Sequence, residues 1–143
     1  MSKADEDLAA RLVSAATGIA LRPTRLHLGQ WGQADCYCEQ TNGNCVILEA
    51  ERGQKHPTTN VAKLWPWLEE DVRRHAMLIH VFFEPNAAPH NRRLVTQWLG
   101  ERMARDLADR FAYYPLTIRD GSIVDGLPAL IQAIQFTAKE PRE

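Results

Sequence analysis

Three carboxylates stand at a spacing that can hold a cation. Asp35 lies on one segment of alternating polarity, and Glu49 and Glu51 lie two residues apart on the next. Thr41-Asn42-Gly43 separates the segments and carries a turn signal, so Gln33 to Gln40 and Asn44 to Glu51 read as a hairpin. The length of the turn decides what the acids face. A two-residue Asn42-Gly43 turn sets Asp35 opposite Ala50. A three-residue loop, closed by Gly43 in the left-handed region, sets it opposite Glu49. With the longer loop, Ala34, Cys36, Cys38, Val46, Leu48 and Ala50 share a wholly apolar face, and Asp35, Tyr37, Glu39, Cys45, Ile47, Glu49 and Glu51 take the other. With the shorter turn, Glu49 and Glu51 fall on the side of the two cysteines. The three-residue loop separates apolar from polar and is preferred; it brings Asp35 and Glu49 to about 5 Å at Cβ. Carboxylates this close need a cation between them or a proton on one of them. A hard, oxygen-seeking ion such as Mg²⁺, with Mn²⁺ able to replace it, meets that need. The plain alternative is a solvated strand face whose acids pair with Arg52, Lys55 or Lys63.

The elements that must position these acids follow from periodicity. Ala4 to Thr17 has helical spacing and ends at Gly18. Arg25 to Gln30 reads as a short strand. Val61, Leu64, Trp65, Leu68 and Val72 mark one face of a helix entered through Pro57-Thr58-Thr59-Asn60, and Pro66 should kink or divide it. Ala76 to Phe83 is nearly all apolar, as befits a central strand covered on both faces. Leu94, Val95, Trp98, Leu99, Met103, Leu107 and Phe111 mark a long helix from about Asn91, and Tyr114 to Ile118 and Leu127 to Thr137 read as a last strand and helix. The expected fold is α/β, a mixed β-sheet flanked by helices in one domain over residues 1–143, with the strand after the Trp65 helix parallel to one strand of the hairpin.

With Ala34-Asp35 on one strand, Glu49-Ala50-Glu51 on the next, and this order of elements over Ala4 to Phe83, the chain resembles the PD-(D/E)XK, or restriction-endonuclease-like, nuclease superfamily. The resemblance implies a restriction-endonuclease-like core and a Mg²⁺-dependent nuclease acting on DNA, with Asp35 and Glu49 as metal ligands. Glu51 stands where the family usually has Lys, and some restriction enzymes of the superfamily have Glu there. It would be a further ligand or a general base. A displaced cation would come from Lys55 or Lys63. In that reading the ion polarises a phosphodiester and lowers the pKa of a bound water. Gln54, His56 and Asn60 would touch the substrate phosphate or the outer shell of the ion, and Glu6 is a candidate accessory acid.

Other features bound the reading. The formal net charge is −1, so an anionic partner must be held by a local patch or a metal rather than by an overall positive field. The short basic clusters Arg73-Arg74-His75 and His90-Asn91-Arg92-Arg93 are of a kind that is usually solvated surface, and they are the only obvious places in this sequence to grip a nucleic-acid backbone. His56 and His80 read as a loop residue and a strand residue rather than as ligands. Cys36, Cys38 and Cys45 fall on two faces of the hairpin, which disfavours zinc, and they read as thiols of a reducing compartment. No apolar run approaches membrane-spanning length and no secretory leader is evident, so the cytoplasm is expected. Trp65, Trp67 and Trp98 read as core or interface anchors, and a homodimer is a reasonable expectation for so small a domain. Two other functions fit the same residues: a non-catalytic module of this fold binding a protein or nucleic acid, and a Mg²⁺-dependent hydrolase of a small phosphate substrate.

Overall fold

The computed structural model describes residues 2–40, 43–53, 56–86 and 89–139. Helix α1 (Lys3–Thr17) leads to two short strands, β1 (Leu26–His27) and β2 (Gln33–Ala34), which pair antiparallel around a 3-10 turn at Gly29–Trp31. Strands β3 (Cys36–Glu39) and β4 (Asn44–Glu51) form the hairpin. Helices α2 (Thr59–Ala62) and α3 (Leu64–Glu70), strand β5 (His75–Glu84), helix α4 (His90–Leu107), strands β6 (Phe111–Arg119) and β7 (Ser122–Asp125), and helix α5 (Leu127–Lys139) complete the described chain. The main sheet has the order β3-β4-β5-β6-β7. Its β4-β5 and β5-β6 pairs are parallel, and its outer pairs are antiparallel. The architecture is therefore α/β, a mixed sheet flanked by helices.

The apolar strands β4, β5 and β6 occupy the middle because both of their faces are covered. On one face, Ala9, Ala10 and Val13 of α1 and Leu130 of α5 pack on Cys36, Val46, Leu48, Ala50, Ile79 and Val81. On the other, Val61, Leu64, Leu68 and Met103 of α2, α3 and α4 pack on Cys45, Ile47, Leu78 and Tyr113. By strand alternation Glu49 and Glu51 point to this second face. It is buried rather than solvated.

Several sequence expectations change. Gln33 to Gln40 is not one strand: the chain bends at Asp35, so Ala34 packs with Ile47 on the second face and not beside Cys36. The first strand shrinks from Arg25–Gln30 to Leu26–His27. The helix containing Pro66 breaks at Lys63, three residues earlier than its proline. Pro66 thereby sits in the first turn of α3, where a missing N–H costs little. Val72 lies beyond that helix and is exposed. In α4 the buried residues are Thr96, Gly100 and Met103, whereas Leu94, Val95 and Trp98 face outward. Trp98 is thus no core anchor, although Trp67 is. Phe111 belongs to β6. Among the described residues no helix is long and apolar enough to cross a membrane.

Candidate functional site

The hairpin pairs Cys36 with Leu48 and Glu39 with Cys45, and Gln40 N–H donates to the Asn44 carbonyl at 2.8 Å. Continued by one residue, that register sets Asp35 opposite Glu49. Gly43 has φ 87°, the left-handed conformation that closes a three-residue loop; the other two loop positions, Thr41 and Asn42, lie outside the described residues.

Glu49 is the centre of the cluster. Its Oε1 accepts from Lys63 Nζ at 3.0 Å and from the backbone N–H of Asp35 at 3.2 Å. Burial pushes its carboxyl up to about 8; Lys63 opposes that rise and Asp35 adds to it. Lys63, at the break between α2 and α3, also donates to the Gln33 carbonyl at 2.6 Å and to Asn60 Oδ1 at 3.0 Å. Its three donors are matched by three acceptors, so the ammonium is a fixed positive charge.

Asp35 turns its carboxylate elsewhere. Oδ1 accepts from Arg25 Nη1 at 3.2 Å, and Oδ2 accepts the Ala50 N–H at 3.1 Å. Arg25 also reaches Glu6 Oε1 at 3.4 Å. Glu6 is buried at the start of α1, and its pKa is raised by that burial and by the Asp35 charge. The accessory acid expected on α1 is therefore next to Asp35.

Glu51 belongs to a second chain of contacts. Asn60 Nδ2 donates to Glu51 Oε1 at 2.6 Å, and His80 Nε2 meets the same oxygen at 3.0 Å. His80 Nδ1 lies 2.9 Å from the hydroxyl of Tyr113, whose phenol is pushed up by burial. Glu51, His80 and Tyr113 are buried, and they come from three adjacent strands. Glu51 Oε2 is buried and has no hydrogen-bond partner among the described residues. Glu51 also lines a cavity of about 190 Å³ with Phe82, Glu84, Asn86, His90, Arg93 and prolines 57, 85 and 89.

Of the residues expected at the site, Asp35, Glu49, Glu51, Asn60 and Lys63 are brought together. His56 is exposed in the turn before α2 and makes no side-chain bond to the acids among the described residues. Gln54 and Lys55 lie outside the described residues. The basic clusters are largely committed within the chain. Arg73 is bonded to Asp71, Arg74 to the Trp67 carbonyl, and Arg93 to Glu84 and Thr117. The sequence reading missed Arg25 and Tyr113, and it gave His80 no partner. A histidine inside the apolar run Ala76 to Phe83 signals that a buried group must meet it. Nothing comparable marks Arg25.

Among the described residues, no three His, Cys, Asp or Glu side chains are grouped to hold a metal ion as they stand. The chemistry of the donors still fits a hard cation. Asp35 and Glu49 are carboxylate-bearing residues opposite each other on the hairpin, and burial raises the Glu49 carboxyl to about 8, which a cation beside it would oppose. Two carboxylates suffice for Mg²⁺, which keeps several waters and takes further oxygens from a phosphate substrate. Cys36 and Cys45 are buried thiols pushed up to about 12 by burial, and they lie on opposite faces of the sheet, which leaves no paired thiolates for zinc. Comparison with protein-family models, curated proteins and solved structures gives no match to this chain.

Proposed function

We propose that the chain is a Mg²⁺-dependent nuclease with a restriction-endonuclease-like core, hydrolysing DNA phosphodiester bonds, with Mn²⁺ able to replace Mg²⁺. The observation that carries this reading is Lys63: a half-buried ammonium 3.0 Å from the buried carboxylate of Glu49, which also accepts the backbone N–H of Asp35. Two carboxylates and a lysine from three elements form the donor set that a metal-assisted attack on phosphate needs. Asp35 and Glu49 hold the ion. When bound, the ion supplies a water of lowered pKa and a Lewis acid for the phosphoryl oxygen. Lys63 places a fixed positive charge where negative charge develops on the phosphate, and its three hydrogen bonds keep it from reorganising. Arg25 and Glu6 hold the Asp35 carboxylate in place. Glu51 makes its contacts apart from this set, with Asn60 and His80 on its Oε1.

The test pairs cleavage with binding. Plasmid and linear DNA are incubated with Mg²⁺ or Mn²⁺ and the wild-type chain, Asp35→Ala, Glu49→Ala or Lys63→Ala, and Mn²⁺ is titrated calorimetrically into each folded protein. Cutting and Mn²⁺ heat that both vanish in the two acid variants support the reading. Equal cutting in all four proteins, or none in any, ends it.

A second reading, a non-catalytic module that docks a protein, is favoured by one feature: Leu94, Val95 and Trp98 lie exposed together on α4. It requires Mn²⁺ heat that is absent or indifferent to Asp35.

A further inference from the structure

Asn60 stands between two groups of opposite charge and bonds both. Its Nδ2 donates to Glu51 Oε1 at 2.6 Å, and its Oδ1 accepts from Lys63 Nζ at 3.0 Å. Turned over, the amide would set its N–H groups against the ammonium and its carbonyl against the carboxylate, so the two charges fix its orientation. Leucine and aspartate match its shape and fail: the first makes neither bond, and the second only accepts. The sequence reading gave Asn60 to the substrate phosphate. Both ends of its amide meet the chain's own groups instead.

Behind Glu51 the anchor is rigid. Glu51 and His80 are 1% and 0% exposed. His80 Nε2 meets Glu51 Oε1 at 3.0 Å, and His80 Nδ1 lies 2.9 Å from the Tyr113 hydroxyl. These three side chains come from β4, β5 and β6, the middle of the sheet. On the other side of Asn60 is a long flexible stem, Lys63, at the junction of α2 and α3. The Glu49 carboxylate and the Gln33 carbonyl take two of its donors. Asn60 is the third acceptor, and it links the ammonium to the buried row.

We propose that Asn60 is a positioning residue: its amide ties Lys63 to the row Glu51–His80–Tyr113 and so sets where the ammonium stands beside Glu49. The role rests on reading Lys63 as the charge that faces the phosphate during cleavage, and Asn60 acts through it. A displacement of about 1 Å at such a group costs up to roughly 10²-fold in rate. The polarity of the row has one alternative. With a carboxylate at position 60 and an amide at position 51, the amide donates to the new carboxylate, which still accepts from Lys63. His80 then takes its other tautomer, accepting at Nε2 and donating from Nδ1 to Tyr113. That exchange reverses the donors and acceptors of the row and keeps every bond.

The test reads Lys63 directly. NMR of the whole chain without metal follows the ¹⁵N resonances of the Lys63 ammonium and the His80 ring. It compares the wild type, Asn60→Ala, Asn60→Asp and the double variant Asn60→Asp/Glu51→Gln, and kcat and KM for DNA cutting are measured with Mg²⁺. Asn60→Ala should shift or broaden the Lys63 signal and lower kcat at least roughly tenfold, with KM little changed. Asn60→Asp should do the same, because two carboxylates then meet at the 2.6 Å contact. The double variant should recover both readouts, with the His80 tautomer exchanged. An unchanged Lys63 signal and kcat in Asn60→Ala overturn the proposal, and so does a double variant no better than Asn60→Asp. A rise in KM alone returns Asn60 to the substrate and also overturns it. If Asn60→Asp does not fold, Asn60→Ala decides. A Lys63 signal that moves as expected while no protein cuts DNA sinks the nuclease reading alone. Cutting that Asn60→Ala leaves at the wild-type rate sinks the positioning role alone.

Discussion

One oxygen of Glu49 receives both the Lys63 ammonium, at 3.0 Å, and the backbone N–H of Asp35, at 3.2 Å. A helix junction and the opposite arm of a hairpin are thus tied to the same carboxylate. Removing the ammonium takes its hydrogen bond from the buried Glu49 oxygen and two more from the Gln33 carbonyl and Asn60. Lys63→Ala should lower stability by about 1–3 kcal/mol in urea titration. Adding Glu49→Leu to it should recover much of that loss. A single variant as stable as wild type would show that the pair contributes little.

The pH dependence of stability has a definite sign. The Glu49 carboxyl binds its proton more tightly folded than unfolded, because burial raises it from the usual 4.5 to about 8. Its contribution to stability is fully present below about 4.5 and is lost as pH rises through about 8. Urea midpoints across that window should fall for the wild type and fall less for Glu49→Gln. Identical slopes would assign the titration to another group.

Gly100 offers a sharper packing test. A Cβ there would lie 2.5 Å from the Tyr113 ring, against Cδ1 and Cγ alike. In an exposed helix interior, Gly→Ala gains about 1 kcal/mol. Here the substitution should instead destabilise, by about 1–3 kcal/mol, since the ring is wedged between α4 and the sheet. The same variant should weaken the Tyr113–His80 contact, visible as a shift in the His80 ring resonances. A stabilised Gly100→Ala protein would contradict this packing.

Outward-facing Trp98 calls for the opposite result. Trp98→Gln should change stability by less than about 0.5 kcal/mol, as for other surface positions, and a loss of several times that would place the indole in a packed interface.

The hairpin register was legible because a loop length and an amphipathic pattern agreed on it: Gly43 and the row Cys36, Cys38, Val46, Leu48 point to the same pairing. The burial of the acid face was not, since alternation distinguishes two sides of a strand but does not say what lies over each. The hint was there in Cys45 and Ile47, apolar residues on the acids' own side. The bend at Asp35 was hidden for a similar reason. Ala34 and Cys36 suit either face, so nothing in their types betrays that the chain turns between them. Strand β7 was missed although Asp120-Gly121 is a strong hairpin signal, and both residues have positive φ there. For α4, seven apolar positions formed too wide a stripe to show which edge faced the sheet. Small buried residues, Thr96 and Gly100, in fact mark the contact.

The parallel pairing of β4 with β5 and of β5 with β6 carries a kinetic implication. Glu51, His80 and Tyr113 meet only after two long crossovers have closed, and such non-local pairing is slow because loop entropy is lost before the contacts form. A nascent chain that has emerged only as far as β5 has its acids and no Tyr113 to steady His80 behind them. Whatever these residues bind, competence should arise late and all at once during refolding, in step with the last central strand rather than with the hairpin.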